Sequence, residues 1–137
     1  MIEKLKVLVI EDNFIEVMKF KKAIQKIGIA IDLFEASNGQ IAIDKLTNKE
    51  VSPDLILLDL NMPDVNGIEF LKLIKANDSL RHIPMVILTT SSNPEDVQQC
   101  FALGVSGYVL KPLKYEDYVD RIKKTLEYWQ VNNLLEL

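Results

Sequence analysis

Leu55-Ile56-Leu57-Leu58-Asp59 sets four consecutive apolar side chains in front of a carboxylate. A continuous apolar run of this length, rather than an alternating one, marks a strand buried on both faces, as in a parallel sheet covered by helices. Val7-Leu8-Val9-Ile10 and Met85-Val86-Ile87-Leu88 repeat the pattern on either side of it. Ile31-Asp32-Leu33-Phe34-Glu35-Ala36 is mixed and reads as an edge strand, and Tyr108-Val109-Leu110 as a short fifth strand.

Helical patterns separate these runs. Val17, Phe20, Ile24 and Ile27 fall at helical spacing, with Gly28 as the C-terminal stop. Asn93, Pro94, Glu95 and Asp96 supply an N-cap, a first helical residue and an acidic first turn. That helix is expected to turn Val97 and Phe101 inward and to stop at Gly104, and Tyr118, Ile122, Leu126 and Trp129 form the inner stripe of the last helix. Strands alternating with helices predict a doubly wound α/β domain.

The chain has 137 residues, 48% hydrophobic and 26% charged, which suits one domain with a true core. A net charge of −4 argues against a nucleic-acid partner, since phosphate binders usually carry a basic surface. Cys100 is the only cysteine, so no intramolecular disulfide forms. There is no signal-peptide pattern and no apolar run of membrane-spanning length. The expectation is a cytoplasmic protein with no membrane partner.

Ligands of doubly wound sheets sit beyond the carboxyl ends of the strands. The first run ends in Glu11-Asp12, the third in Asp59, the fourth in Thr89 and the fifth in Lys111. Three carboxylates brought to one sheet edge repel one another unless a positive charge stands among them. An all-oxygen set favours a hard cation, and Mg²⁺, which keeps waters and pairs with phosphate, suits it. With the acids neutralised, one carboxylate becomes a nucleophile towards a phosphoryl group. Lys111 then offers a compact cation and Thr89 a hydroxyl donor. The blander reading of Lys111 is a salt bridge to Asp12 or Asp59, and a resting protein satisfies both readings.

Glu11-Asp12, Leu57-Leu58-Asp59-Leu60-Asn61-Met62-Pro63 with Gly67 downstream, Leu88-Thr89-Thr90, and Tyr108-Val109-Leu110-Lys111-Pro112 together resemble the motifs of response regulator receiver domains of two-component signalling. The likeness is to stand-alone, chemotaxis-regulator-like receivers and spans roughly residues 4 to 129. It implies a flavodoxin-like strand order 2-1-3-4-5 with five helices, a receiver over residues 1–129, and a helix extension or frayed tail over residues 130–137. It also implies that Asp59 is the phosphoacceptor, that Asp12, Asp59 and the backbone carbonyl of Asn61 bind Mg²⁺, and that Glu11 acts through water. Thr89 and Tyr108 resemble the family's switch pair, and Lys111-Pro112 the pair it joins by a cis peptide. Asn61, Thr90 and Ser91 occupy positions that tune rates, Thr90 being bulkier than the residue often found there. The implied partners are a sensor histidine kinase or a histidine phosphotransfer protein, and an unidentified downstream protein.

Output is expected through the face formed by the fourth helix, fifth strand and fifth helix, with Val105, Tyr115 and Tyr118 as exposed candidates, although Tyr118 suits the core equally. Leu134, Leu135 and Leu137 offer a seam for a homodimer; the commoner fate of such an end is fraying. Two rival readings are weaker. A haloacid-dehalogenase-type phosphatase typically carries a second Asp two residues after its nucleophile, where this chain has Asn61. A flavin module needs a phosphate-cradling loop, and Glu11-Asp12-Asn13 is electrostatically wrong for one.

Overall fold

The computed structural model describes residues 4–62 and 66–132. Ten elements alternate along it: β1 (Leu5–Ile10), α1 (Phe14–Ile27), β2 (Ile31–Ala36), α2 (Gly39–Thr47), β3 (Leu55–Leu58), α3 (Gly67–Lys75), β4 (Met85–Thr89), α4 (Pro94–Ala102), β5 (Gly107–Leu110) and α5 (Tyr115–Gln130). The strands form one parallel sheet in the order β2-β1-β3-β4-β5, as the resemblance implied. The strand order reverses between β1 and β3, and Glu11 and Asp59 follow those two strands directly.

Successive side chains of a strand point to opposite faces, so each apolar run feeds two cores. Leu8, Ile10, Ile56 and Leu58 join the cluster built with α2, α3 and α4. Val7, Val9, Leu55 and Leu57 join the one built with α1 and α5, including Phe20, Tyr118, Ile122, Leu126 and Trp129. The edge strands β2 and β5 are mostly half-buried, which explains their mixed composition.

Asparagine starts four of the helices. Asn13, Asn38, Asn66 and Asn93 each accept a backbone N–H of the first turn, satisfying a donor that the helix itself leaves unpaired. Gly28 caps α1 at φ 78°, a left-handed conformation that a side chain would disfavour.

Two expectations about facing are corrected. In α4 the fully buried residue is Cys100, whereas Phe101 is 52% exposed and Val97 half-buried. From Val97 the next inward position lies three or four residues on, and periodicity alone does not choose between them; packing against the sheet takes the three-residue step. On the face of α4, β5 and α5, Val105 and Tyr118 are core residues and Tyr115 is half-buried. The apolar side chains exposed there are Phe101, Leu110 and Leu113. Helix α5 ends at Gln130, with Val131 as its cap. Leu134, Leu135 and Leu137 lie outside the described residues.

Candidate functional site

The sheet's parallel register delivers the site residues to one edge. Asp59 N–H donates to Ile10 O at 3.2 Å, Glu11 N–H to Ala36 O at 3.1 Å and Lys111 N–H to Thr89 O at 2.8 Å, so the residue after each strand is tied to its neighbour. Gly67 brings α3 against this edge. A Cβ there would stand 2.6 Å from Leu60 Cα and 2.9 Å from Asp59 O, so only glycine allows so close an approach.

Carboxylate oxygens of Glu11, Asp12 and Asp59 lie within 4.8 Å of one another. Glu11 is buried, Asp59 half-buried and Asp12 exposed, so the cluster is rooted in the fold and open to solvent on one side. Burial is the main cause that raises the Glu11 pKa from 4.5 to about 7; Lys111 opposes the rise and Asp59 adds to it. A carboxylate held so high by burial gains from any further positive charge brought beside it. The donor set is all oxygen, which fits a hard divalent cation.

Lys111 does not pair as expected. Its Nζ donates to Glu11 Oε1 at 2.9 Å and stands 3.3 Å from Glu16 Oε2, with the side chain only 8% exposed. Burial acts to lower its pKa, but the Glu11 hydrogen bond and the charges of Glu11, Asp59 and Glu16 outweigh burial and raise it. The ammonium is therefore a fixed charge, held in the wall of a cleft that Glu11, Glu16, Asp59 and Tyr118 also line. Burial, with help from the Glu16 and Glu11 charges, pushes the Tyr118 phenol far above its usual range.

Thr89 is fully buried at the end of β4, and its Oγ1 accepts the Ser91 N–H at 3.3 Å, leaving its own O–H to donate. The Tyr108 hydroxyl donates to Ser91 O at 2.7 Å. Ser91 thus joins the two residues of the expected switch pair. Its hydroxyl donates in turn to Asp96 Oδ2 at 2.7 Å, in the first turn of α4. Thr90 and Asn61 are exposed. The Lys111-Pro112 peptide, expected to be cis, is trans, the isomer an X-Pro bond prefers by about 0.5–1 kcal/mol.

The sequence pattern does not single out Glu16, and it marks Asp96 only as an acid of the first turn of α4, not as the partner of Ser91. Asn13 and Glu16 have capping-box spacing, in which the acid turns back to the N-cap N–H. In the fold that N–H donates instead to Glu11 Oε2, at 3.4 Å. The spacing was visible; the diversion of Glu16 towards Lys111 depends on a strand more than ninety residues away.

Residues 7–123 match the response regulator receiver domain family. The chain belongs to that family. The receiver is 35% identical over 127 residues to the probable methanogenesis regulatory protein FilR2 of Methanothrix harundinacea, covering 90% of this chain and 82% of that one. Its fold matches the crystal structure of the phosphorylated cyanobacterial phytochrome response regulator RcpA with a TM-score of 0.91, at 28% identity over 98% and 100% of the two chains. It matches the Mn²⁺-bound form of response regulator Rcp1 with a TM-score of 0.87, at 30% identity over 97% and 99%. The receiver is thus a two-component signalling domain and not a member of a metabolic enzyme family. Its acidic cluster fits a divalent cation, and among the described residues no helix is long and apolar enough to cross a membrane.

Proposed function

We propose that this receiver is a phosphorylation-controlled binding switch. It takes a phosphoryl group onto Asp59 from a histidine kinase or histidine phosphotransfer protein, with Mg²⁺, and changes its affinity for a downstream protein. The observation that carries this reading is the gathering of Glu11, Asp12 and Asp59 within 4.8 Å beside the buried ammonium of Lys111.

An Asp59 carboxylate oxygen forms a bond to phosphorus as the phosphorus–nitrogen bond of the donor phosphohistidine breaks, and the leaving imidazole retains the electron pair. Asp12 and Asp59 would hold Mg²⁺ with the backbone carbonyl of Asn61, and Glu11 would reach it through water. When bound, Mg²⁺ offsets the carboxylate charge and that of the phosphoryl oxygens. Lys111 places a second positive charge beside those oxygens without having to enter from solvent. Thr89 donates its free O–H to one of them. The Ser91 contacts of Thr89 and Tyr108 then link the acceptor to the face of α4, β5 and α5, where Phe101, Leu110 and Leu113 are exposed for a partner. The kinase's phosphohistidine is made in the cytoplasm, where this reading puts the receiver.

The test is intact-protein mass after incubation with phosphoramidate or acetyl phosphate, with and without Mg²⁺. The expected result is a single Mg²⁺-dependent phosphoryl gain in the wild type and none in Asp59→Asn. A gain that persists in Asp59→Asn would overturn the assignment of the acceptor. Steady turnover of a generic phosphate ester would favour a phosphatase instead.

A further inference from the structure

We propose that Glu16 is the positioning residue for Lys111, holding its ammonium in the site while Glu11 is engaged by a divalent cation; this rests on the phosphoacceptor reading above.

Glu11 has more to do than one carboxylate can do at full strength. Its Oε1 accepts from Lys111 Nζ, its Oε2 accepts from the Asn13 N–H, and its carboxylate belongs to the cluster with Asp12 and Asp59. A cation bound at that cluster neutralises much of the charge that draws Lys111 to Glu11. The lysine stem is flexible and its ammonium strongly hydrated, so weakening its hold on Glu11 would, with no second partner, free it to leave for solvent.

Glu16 is placed to prevent that. It stands outside the three-carboxylate cluster, yet its Oε2 lies 3.3 Å from Lys111 Nζ. That oxygen is buried and has no hydrogen-bond partner among the described residues, a costly arrangement unless a donor comes within reach. A donor stands close by: the Lys111 ammonium, 3.3 Å away. The usual alternative for an acid at this helix position, the N-cap N–H, is already taken by Glu11. The Asn13 side chain caps Ile15 N–H at 2.9 Å and Glu16 N–H at 3.3 Å, pinning the backbone from which Glu16 projects. Lys111 therefore passes from Glu11 to Glu16 as the cation binds, and its charge stays beside Asp59.

Glu16→Gln keeps the shape and removes the charge. The expected result is a fall of roughly five-fold or more in phosphoryl uptake from phosphoramidate at saturating Mg²⁺, with Mg²⁺ affinity within about two-fold of wild type. A second readout needs no phosphoryl chemistry: the Lys111 ε-ammonium NMR signal in lysine-labelled protein. On Mg²⁺ addition it should stay protected from solvent exchange in the wild type and lose that protection in Glu16→Gln. Unchanged uptake in the variant, equal protection in the two proteins, or Mg²⁺ affinity falling in parallel with uptake would each overturn the proposal. A wild type that never gains phosphate on Asp59 would refute the phosphoacceptor reading, while the NMR comparison would still decide whether Glu16 holds Lys111.

Discussion

Lys111 and Glu11 are a hundred residues apart in the chain and 2.9 Å apart in the fold, with side chains only 8% and 6% exposed. A pair buried to this degree is costly to break from one side, because the charge left behind keeps its desolvation without its partner. Lys111→Met should therefore lower stability at pH 8 by about 1–3 kcal/mol. The loss should shrink at pH 5.5, where Glu11 takes up a proton. Urea unfolding at the two pH values measures both, and an equal loss at each would refute the pairing account.

Metal-free stability should carry the signature of Glu11. Burial raises its folded pKa from 4.5 to about 7, so between those values the folded protein keeps a proton that the unfolded chain has released. Its contribution to stability is fully present below pH 4.5, falls as pH rises towards 7, and is level above. A cation competes with the same proton, so Mg²⁺ affinity should rise with pH across this window, by up to about ten-fold per unit. Calorimetric Mg²⁺ titrations from pH 5.5 to 8 should show the rise in wild type and a flatter profile in Glu11→Gln. Identical profiles would mean that another group carries the proton.

Gly67→Ala should harm the site without altering any functional side chain. The new methyl would meet Leu60 Cα at 2.6 Å and Asp59 O at 2.9 Å, both backbone atoms that cannot turn aside. Overpacking of this kind costs about 1–3 kcal/mol. A variant as stable as wild type by urea unfolding would show that α3 can withdraw freely from Asp59.

Tyr108→Phe removes the donor to Ser91 O and should cost about 1 kcal/mol, since the carbonyl is left in a part-buried place. Amide NMR should localise the response to residues 89–96, the segment tied through Ser91 to Thr89 and Asp96. Shifts spread evenly over the sheet would argue that the ring, not the hydroxyl, holds the loop.

Cys100 should be inert in the folded protein. It is fully buried, and burial, with the Asp96 charge adding, pushes its thiol up to about 11. A thiol reagent at pH 8 should label it only as urea unfolds the chain. Prompt labelling without denaturant would show that α4 opens readily.

Much of the fold is legible in the sequence. Continuous apolar runs such as Val7–Ile10 and Leu55–Leu58 require a sheet covered on both faces, and that pattern is local. The asparagine cap and acidic first turn of α4 and the stripe of α5 are local too. Phe101 departs from the expected facing because a helix of nine residues tolerates two phases, and only its neighbours choose between them; Val105 follows the helix, where no periodicity sets the facing.

The residues at the strand ends are legible by type and order alone: Glu11 and Asp12, Asp59, Thr89 and Lys111 stand in sequence at the ends of the apolar runs, and parallel strands bring them to one edge. Which groups touch was decided by the tertiary structure. Lys111 pairs with Glu11 rather than Asp12 or Asp59, Glu16 turns to it rather than to its own helix cap, and Ser91 ties Thr89 to Tyr108 and Asp96. The physical reason is that apolar burial follows a short-range pattern along the chain, whereas pairing among several nearby charges depends on differences of about an ångström and on which of them is dry.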